Sequence, residues 1–506
     1  MFPLTERLAW MPLALAWLAS GLAGCALQAP ASTTLAALPP AWARLESTPS
    51  APPAPQGSPT ADTADAPAAA WWRALADPAL HTLVEAAEQN SPTLAHALAR
   101  LDEARANAGV QAAAQGPALR GDVQGQRGTP QSGQGAASTQ ASSSASTGLN
   151  LSWELDLFGR LRHNQAAAEQ RLAASTADAR AARLSLQTQA ADRVIAWRAC
   201  QAQSAVRQED LRSRAATLRM TEARQAAGQA APIDTARLRS SLADAQINRI
   251  CTEELCVEVE QQLVALSGWP LDQVKQLLLA PLQTKVAPHP VPHPIPRAVP
   301  EPPPLQPTLP ASVLAQHPSV LAAMRRADAS WEDVGTAEAA RRPSLSLTAL
   351  LNASWIGVAG SWLRSTSWSI APQIGTTLWD GGRGKAQADA ARARHAQALA
   401  SLESTVRATV QEVENALALA HSAGQREQVA QAGVTAATQL LLASEASQRA
   451  GRMSLFELED ARRSANHAQL ASISAQGDRA RAWVALVKAT ANTPAPPPTP
   501  PVTPQP

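Results

Sequence analysis

The same signposts stand in both halves of this chain at nearly the same spacing, and that duplication limits the fold more than any other feature. Pro92, in Asn90-Ser91-Pro92, is followed 25 residues on by Pro117; Pro318, in Gln316-His317-Pro318, is followed by Pro343 at the same distance. Gly159 precedes Gly228 by 69 residues, and Gly382 precedes Gly451 by 69. The halves are offset by 226 residues early and 223 later. A period this long is one duplicated structural unit, not a short solenoid repeat. Each unit reads as helix, strand, strand, long helix, helix. Four strands cannot close a barrel within one chain, so the duplication points to an oligomer.

The strand candidates are residues 118–127 and 148–157 in the first unit, and 344–356 and 367–378 in the second. Leu149, Leu151, Trp153, Leu155 and Leu157 alternate with Asn150, Ser152, Glu154 and Asp156. Leu345, Leu347, Ala349, Leu351, Ala353 and Trp355 alternate with Ser346, Thr348, Asn352 and Ser354. Trp368, Ile370, Pro372, Ile374 and Leu378 share one face. Segments of about ten residues, apolar on one side and polar on the other, predict lipid-facing strands around a wet lumen. A soluble sandwich competes with that reading, but four strands are too few for a sandwich of useful size.

A long helical stretch follows each strand pair. Residues 161–227 contain neither proline nor glycine, and residues 385–450 contain only Gly424 and Gly433. Each would span roughly 100 Å if unbroken. Leu399, Leu402, Val406, Val410, Val413 and Leu417 step as a coiled-coil seam does. Each stretch ends at a turn, near Gly228 or Gly451, and short turns make antiparallel helical neighbours.

Residues 1–24 read as an export signal: Leu8 to Leu22 is mostly apolar. Leu22-Ala23-Gly24-Cys25 resembles the lipobox of bacterial lipoproteins. That resemblance implies cleavage before Cys25 and a lipid, palmitate included, on this residue. Residues 25–69 then read as a flexible tether, 271–310 as a Pro-rich linker, and 491–506 as a disordered tail. The structural repeats occupy 70–270 and 311–490. No later segment offers the roughly 18 apolar residues a spanning helix needs.

Export permits disulfides. In an antiparallel helix pair turning at Gly228, Cys200 and Cys256 lie 28 residues to either side, at the same height. The geometry therefore predicts a Cys200–Cys256 bridge, with Cys251 free. Zinc is not expected, because no histidine or second cysteine pair stands at ligand spacing. His289 and His293 lie in a proline run whose three-residue turn keeps them on different faces, so a stiff linker is the better reading. The net charge of +2 gives no case for nucleic acid. No catalytic, phosphate-binding or cofactor motif is present, so neither an enzyme nor a cofactor is expected.

Ala70-Trp71-Trp72 with Asp77-Pro78-Ala79-Leu80, then Leu98-Ala99-Arg100-Leu101, resembles the start of the outer-membrane lipoproteins of tripartite efflux pumps. These are the TolC-like outer membrane factors of NodT type, which serve RND pumps. Trp153 to Arg162 and Leu378 to Arg383 resemble the two strand-to-helix junctions of that family, and Arg342 to Thr348 the entry into its third strand. The matches run from about residue 70 to 490.

The resemblance implies a mainly α fold with transmembrane β-strands. A homotrimer would close a twelve-stranded barrel in the outer membrane and continue it as a long antiparallel α-helical barrel through the periplasm. It implies a passive exit duct for drugs or other small toxic compounds. Its partners would be outer-membrane lipid, a periplasmic adaptor protein and an inner-membrane transporter. Gly228 and Gly451 would form the tip turns. Glu457 and Asp460, carried over by position from the family's tip motif, would form the periplasmic gate. The alternative for these two acids is a helix start favoured by the macrodipole. Gln448 stands where the family has a tyrosine, Met453 where a basic residue sometimes stands, and Pro232 where leucine is common. Two other functions fit less well: the duct of a type I protein secretion system, and a periplasmic coiled-coil spacer lipoprotein. The spacer would need no lipid-facing tryptophans.

Overall fold

The computed structural model describes residue 42 and residues 70–128, 142–279, 299–304, 310–358 and 361–491. The signal segment, Cys25, nearly all of the tether, His289, His293 and residues 492–506 lie outside the described residues. A 3-10 turn, Trp71–Ala74, opens the ordered chain. Then follow α1 (Pro78–Asn90), α2 (Pro92–Ala113), β1 (Ala118–Gly128), β2 (Ser142–Leu155), α3 (Arg160–Ala226) and α4 (Pro232–Ser267). After α5 (Leu271–Leu278) and α6 (Pro310–Gln316), the order recurs: α7 (Pro318–Ala339), β3 (Ser344–Val358), β4 (Ser361–Gly375), α8 (Arg383–Arg449) and α9 (Leu455–Thr490). The chain divides into two compact units, with α2, α3, α7 and α8 each running from one into the other.

One unit holds the strands and the neighbouring helix segments 100–113, 160–176, 322–339 and 383–404. Its sheet is antiparallel in the order β1-β2-β3-β4. The register sets Leu119 opposite Leu151, Leu151 opposite Ala349, and Ala349 opposite Ile370. Likewise Trp153 faces Leu347, which faces Pro372. Opposed residues point to the same side of a sheet, so the apolar sets merge into one continuous face. The other face carries Asn150, Ser152, Thr348, Asn352, Ser367 and Gln373, interrupted by Leu350, Ala371 and the pair Ile356 and Leu363. Pro372 has no N–H to donate, and β4 is an edge strand of this sheet, where proline is tolerated.

The strand limits differ from the alternation pattern. β2 starts at Ser142, because the run Ser142 to Thr147 pairs by backbone with both neighbours although it has no apolar alternation. Leu157 lies beyond the strand, half exposed. β4 runs over 361–375, and Leu378 stands outside it at 92% exposure. There Asp380 takes over: its carboxylate accepts from the backbone N–H groups of Gly382 at 2.8 Å and Gly384 at 2.7 Å, leading into α8.

Within the same unit, Arg160 forks onto Glu154 at 3.1 and 2.7 Å, tying the start of α3 back to β2. Arg171 reaches Asp333 at 2.7 Å. His163 Nδ1 lies 2.6 Å from a Glu332 carboxylate oxygen. A Cβ on residue 335 would come within 2.6 Å of that same imidazole, so Gly335 is what lets α7 approach α3 here.

The other unit has its main core around Trp71, Leu75, Leu80, Leu83, Val194, Ile195, Trp483 and Val487. Trp71 Nε1 donates to Gln187 at 3.0 Å. Asp77 caps α1 by accepting from the N–H of Ala79 and is also forked by Arg198, both nitrogens at 3.0 Å. Asp77 is fully buried, and Arg198 also donates to the Leu278 carbonyl at 2.6 Å. Removing one partner of such a pair costs about 3–5 kcal/mol, because it leaves a buried charge uncompensated.

Two segments expected to be loose are packed in this unit. Residues 271–278, read as the start of a linker, form α5 and bury Val274 and Leu278 completely. Trp42, read as part of the tether, is 2% exposed against Val313, Val413, Leu417 and Leu486. Their apolar residues find partners far away in sequence, which local composition cannot reveal. Cys200 on α3 and Cys256 on α4 are joined by a disulfide with Cα atoms 5.7 Å apart, and Cys251 is free and exposed.

Candidate functional site

The two helical turns are built alike. At the end of α3, Gly228 has φ of 74°. Its N–H bonds the carbonyl of Gln225 at 3.0 Å, and Gln229 N–H bonds that of Arg224 at 2.7 Å. At the end of α8, Gly451 has φ of 70°, with Gly451 N–H on Gln448 at 2.9 Å and Arg452 N–H on Ser447 at 3.0 Å. This left-handed closure satisfies the last carbonyls of a helix and favours glycine, which has no Cβ to clash. The chain turns about and re-enters a helix within five residues or fewer on each side.

The entries into the return helices differ. α4 begins with Pro232 in its first turn and has no side-chain cap. α9 begins with a reciprocal cap: Ser454 Oγ accepts from Glu457 N–H at 3.2 Å, and Glu457 Oε2 accepts from Ser454 N–H at 2.8 Å. The backbone N–H of Ser454, and then its hydroxyl, hold the Glu457 carboxyl below the usual carboxylate range. Glu457 is therefore anionic and fixed to its own helix terminus. Asp460, three residues on, has 80% of its side chain exposed, with Arg463 Nη2 at 3.1 Å. Both acids are exposed; Glu457 is tied to Ser454 and Asp460 to Arg463.

Behind them lies a polar seam between α3 and α9 that sequence reading missed. Glu459 is 6% exposed and accepts from Thr217 Oγ1 at 2.7 Å and Arg462 at 2.8 Å. Two turns further, Asp210 accepts from Asn466 at 2.9 Å and from Arg214 at 3.0 Å. The signal was present but faint: Leu458, Ala461 and Ala465 mark the buried face of α9, and Glu459 sits at its edge.

Among the described residues, no group of three or more His, Cys, Asp or Glu could hold a metal ion. No described helix is long and apolar enough to cross a membrane, which says nothing about a β-barrel.

The profile of the family described as "Outer membrane efflux protein" matches residues 83–269 and 309–492, which is most of the chain. The chain belongs to that family. The pyoverdine export outer membrane protein OpmQ of Pseudomonas putida is 29% identical over 446 residues, covering 87% of this chain and 91% of the relative. The outer membrane protein OprJ of Pseudomonas aeruginosa is 28% identical, covering 83% and 85%. A solved structure of a membrane protein from Pseudomonas aeruginosa, 28% identical, superposes with a TM-score of 0.71 over 85% of this chain and 98% of that one. This outer membrane efflux protein is thus the outer-membrane component of an efflux system.

Proposed function

We propose that three copies of this efflux protein close into a twelve-stranded barrel and form the passive exit duct of a tripartite pump. The observation that carries this is the sheet itself. It has one continuous apolar face, one polar face, and two edge strands, β1 and β4, without a partner among the described residues. A bilayer supplies no hydrogen bonds to an open edge, so a sheet placed there must close on other copies. The polar face then lines the lumen and the apolar face meets lipid. A lipid on Cys25 adds a second hold on the outer membrane.

Energy and cargo selection come from an inner-membrane transporter and a periplasmic adaptor. The cargo class we assign is drugs or other small toxic compounds. The turns at Gly228 and Gly451 form the periplasmic end, and Asp460, with Glu457 beside it, rings the entrance with carboxylates. Such a ring favours cations and resists anions. Purified protein in planar bilayers tests the reading. Discrete, cation-selective conductance steps support it, and protein that inserts without conducting contradicts it.

A further inference from the structure

Two arginines stand alone in the strand region, and neither efflux nor gating uses them. From Val123 to Trp153, Arg127 is the only charged residue; from Pro343 to Trp379, Arg364 is the only one. Both belong to the apolar face. One row across the sheet reads Arg127, Ser143, Gly357, Trp362. The next row inward reads Gly125, Ala145, Trp355, Arg364. These rows share their side with Leu351 and Trp368 four and six residues further along β3 and β4, since alternate residues face the same way.

Both rows also lie at the hairpin end of the sheet, away from Leu155, Ser344 and Gly375, where the strands give way to the helices. The Arg364 guanidinium sits 5.9 Å from the centroid of the Trp355 ring. The Trp362 ring lies over Gly357, where a Cβ would come within 3.1 Å of it. Arginine on a lipid-facing strand is costly at the midplane and nearly neutral near the interface. Arginines confined to one end, between tryptophans, therefore mark that end as the headgroup level.

We propose that Arg127 and Arg364, with Trp355 and Trp362, form a rim that binds the phosphates of lipid headgroups in the outer leaflet. Guanidinium forks match phosphate oxygens, and indole rings settle at the headgroup boundary. No acid competes on this part of the face, because the sequence supplies none between Val123 and Trp153 or between Pro343 and Trp379. The inference rests on the proposed duct. Closure would set β1 of one protomer beside β4 of the next, about 4.8 Å away. Arg127 and Arg364 would then stand on neighbouring strands at each of the seams.

The test embeds the full-length protein in phosphatidylcholine nanodiscs containing bisphosphorylated lipid A, or the same glycolipid stripped of phosphate. Native mass spectrometry then counts the glycolipid retained on the released protein. The wild type retains the phosphorylated form and not the stripped one. The double variant Arg127→Gln, Arg364→Gln retains it roughly 25-fold less, as two cations at about fivefold each imply. Arg127→Lys with Arg364→Lys keeps most of the retention, which separates charge from a structural defect. Excess inorganic phosphate leaves retention unchanged; full displacement by it would overturn the lipid assignment in favour of free phosphate. Equal retention by the wild type and the glutamine variant, in a trimer that still conducts, overturns the rim and leaves the duct standing. A wild type that enters the nanodisc only as a monomer removes the duct and the rim together.

Discussion

Glu457 and Asp460 stand one turn apart on α9, yet the structure gives them different work. Both are exposed, but Glu457 closes a capping box with Ser454, while Asp460 pairs with Arg463. Asp460→Ala should therefore raise single-channel conductance and the leak of large antibiotics without loss of stability, whereas unchanged conductance and uptake would remove it from the gate. Glu457→Gln keeps a cap-competent side chain, so any effect it has on conductance reports charge alone. The acids of the tip were legible in the sequence as a cluster. Which of them turns inward was not, because Glu459 is placed by Thr217, far away in the chain.

His317 carries a second consequence at this scale. It lies at the start of α7, 7% exposed, with no hydrogen-bond partner for Nδ1 among the described residues. Burial lowers its pKa from 6.5, and the charge of Glu412 opposes that only in part. The fold holds the ring neutral, while the unfolded chain takes up a proton as pH falls below about 6.5. More protons are then bound in the unfolded state, so stability declines from that pH down to the lowered folded value. Thermal melts should show the wild type losing more Tm than His317→Asn between about pH 7.5 and pH 5.5. Parallel losses would mean that other groups carry the acid sensitivity.

Among the elements, the helix pair α3–α4 is the one whose geometry spacing could foresee. A turn at Gly228 sets residues equally far on either side at equal height, and the structure joins Cys200 to Cys256 there. For residues 56 apart, the chain-entropy account gives a stabilisation of about 4 kcal/mol. A reductant should lower the Tm of the wild type and leave Cys200→Ser/Cys256→Ser unmoved. Cys251→Ser should behave as the wild type, since Cys251 is free.

The strands were legible at their centres, where apolar and polar residues alternate, and illegible at their ends. The serine run of β2 is strand only because β1 and β3 flank it. The same limit hid α5 and the seat of Trp42. Trp42 lies in Pro- and Ala-rich sequence, while Val274 and Leu278 stand in a short run just ahead of the Pro-rich segment, and their burial shows that they are structural.

For the whole molecule, the duplication carried most of the information. Two helix-strand-strand-helix-helix units give four strands in one antiparallel sheet, with β1 and β4 at its edges. A single chain reveals the open edges but not what covers them, because closure is a property of several copies. The central claim is that three copies supply the missing pairings. Its most direct test is the native mass of the protein extracted from outer membranes in mild detergent. The account predicts a trimer, heavier than three mature chains by three lipid groups. A lipidated monomer or dimer that keeps its fold would contradict the twelve-strand closure.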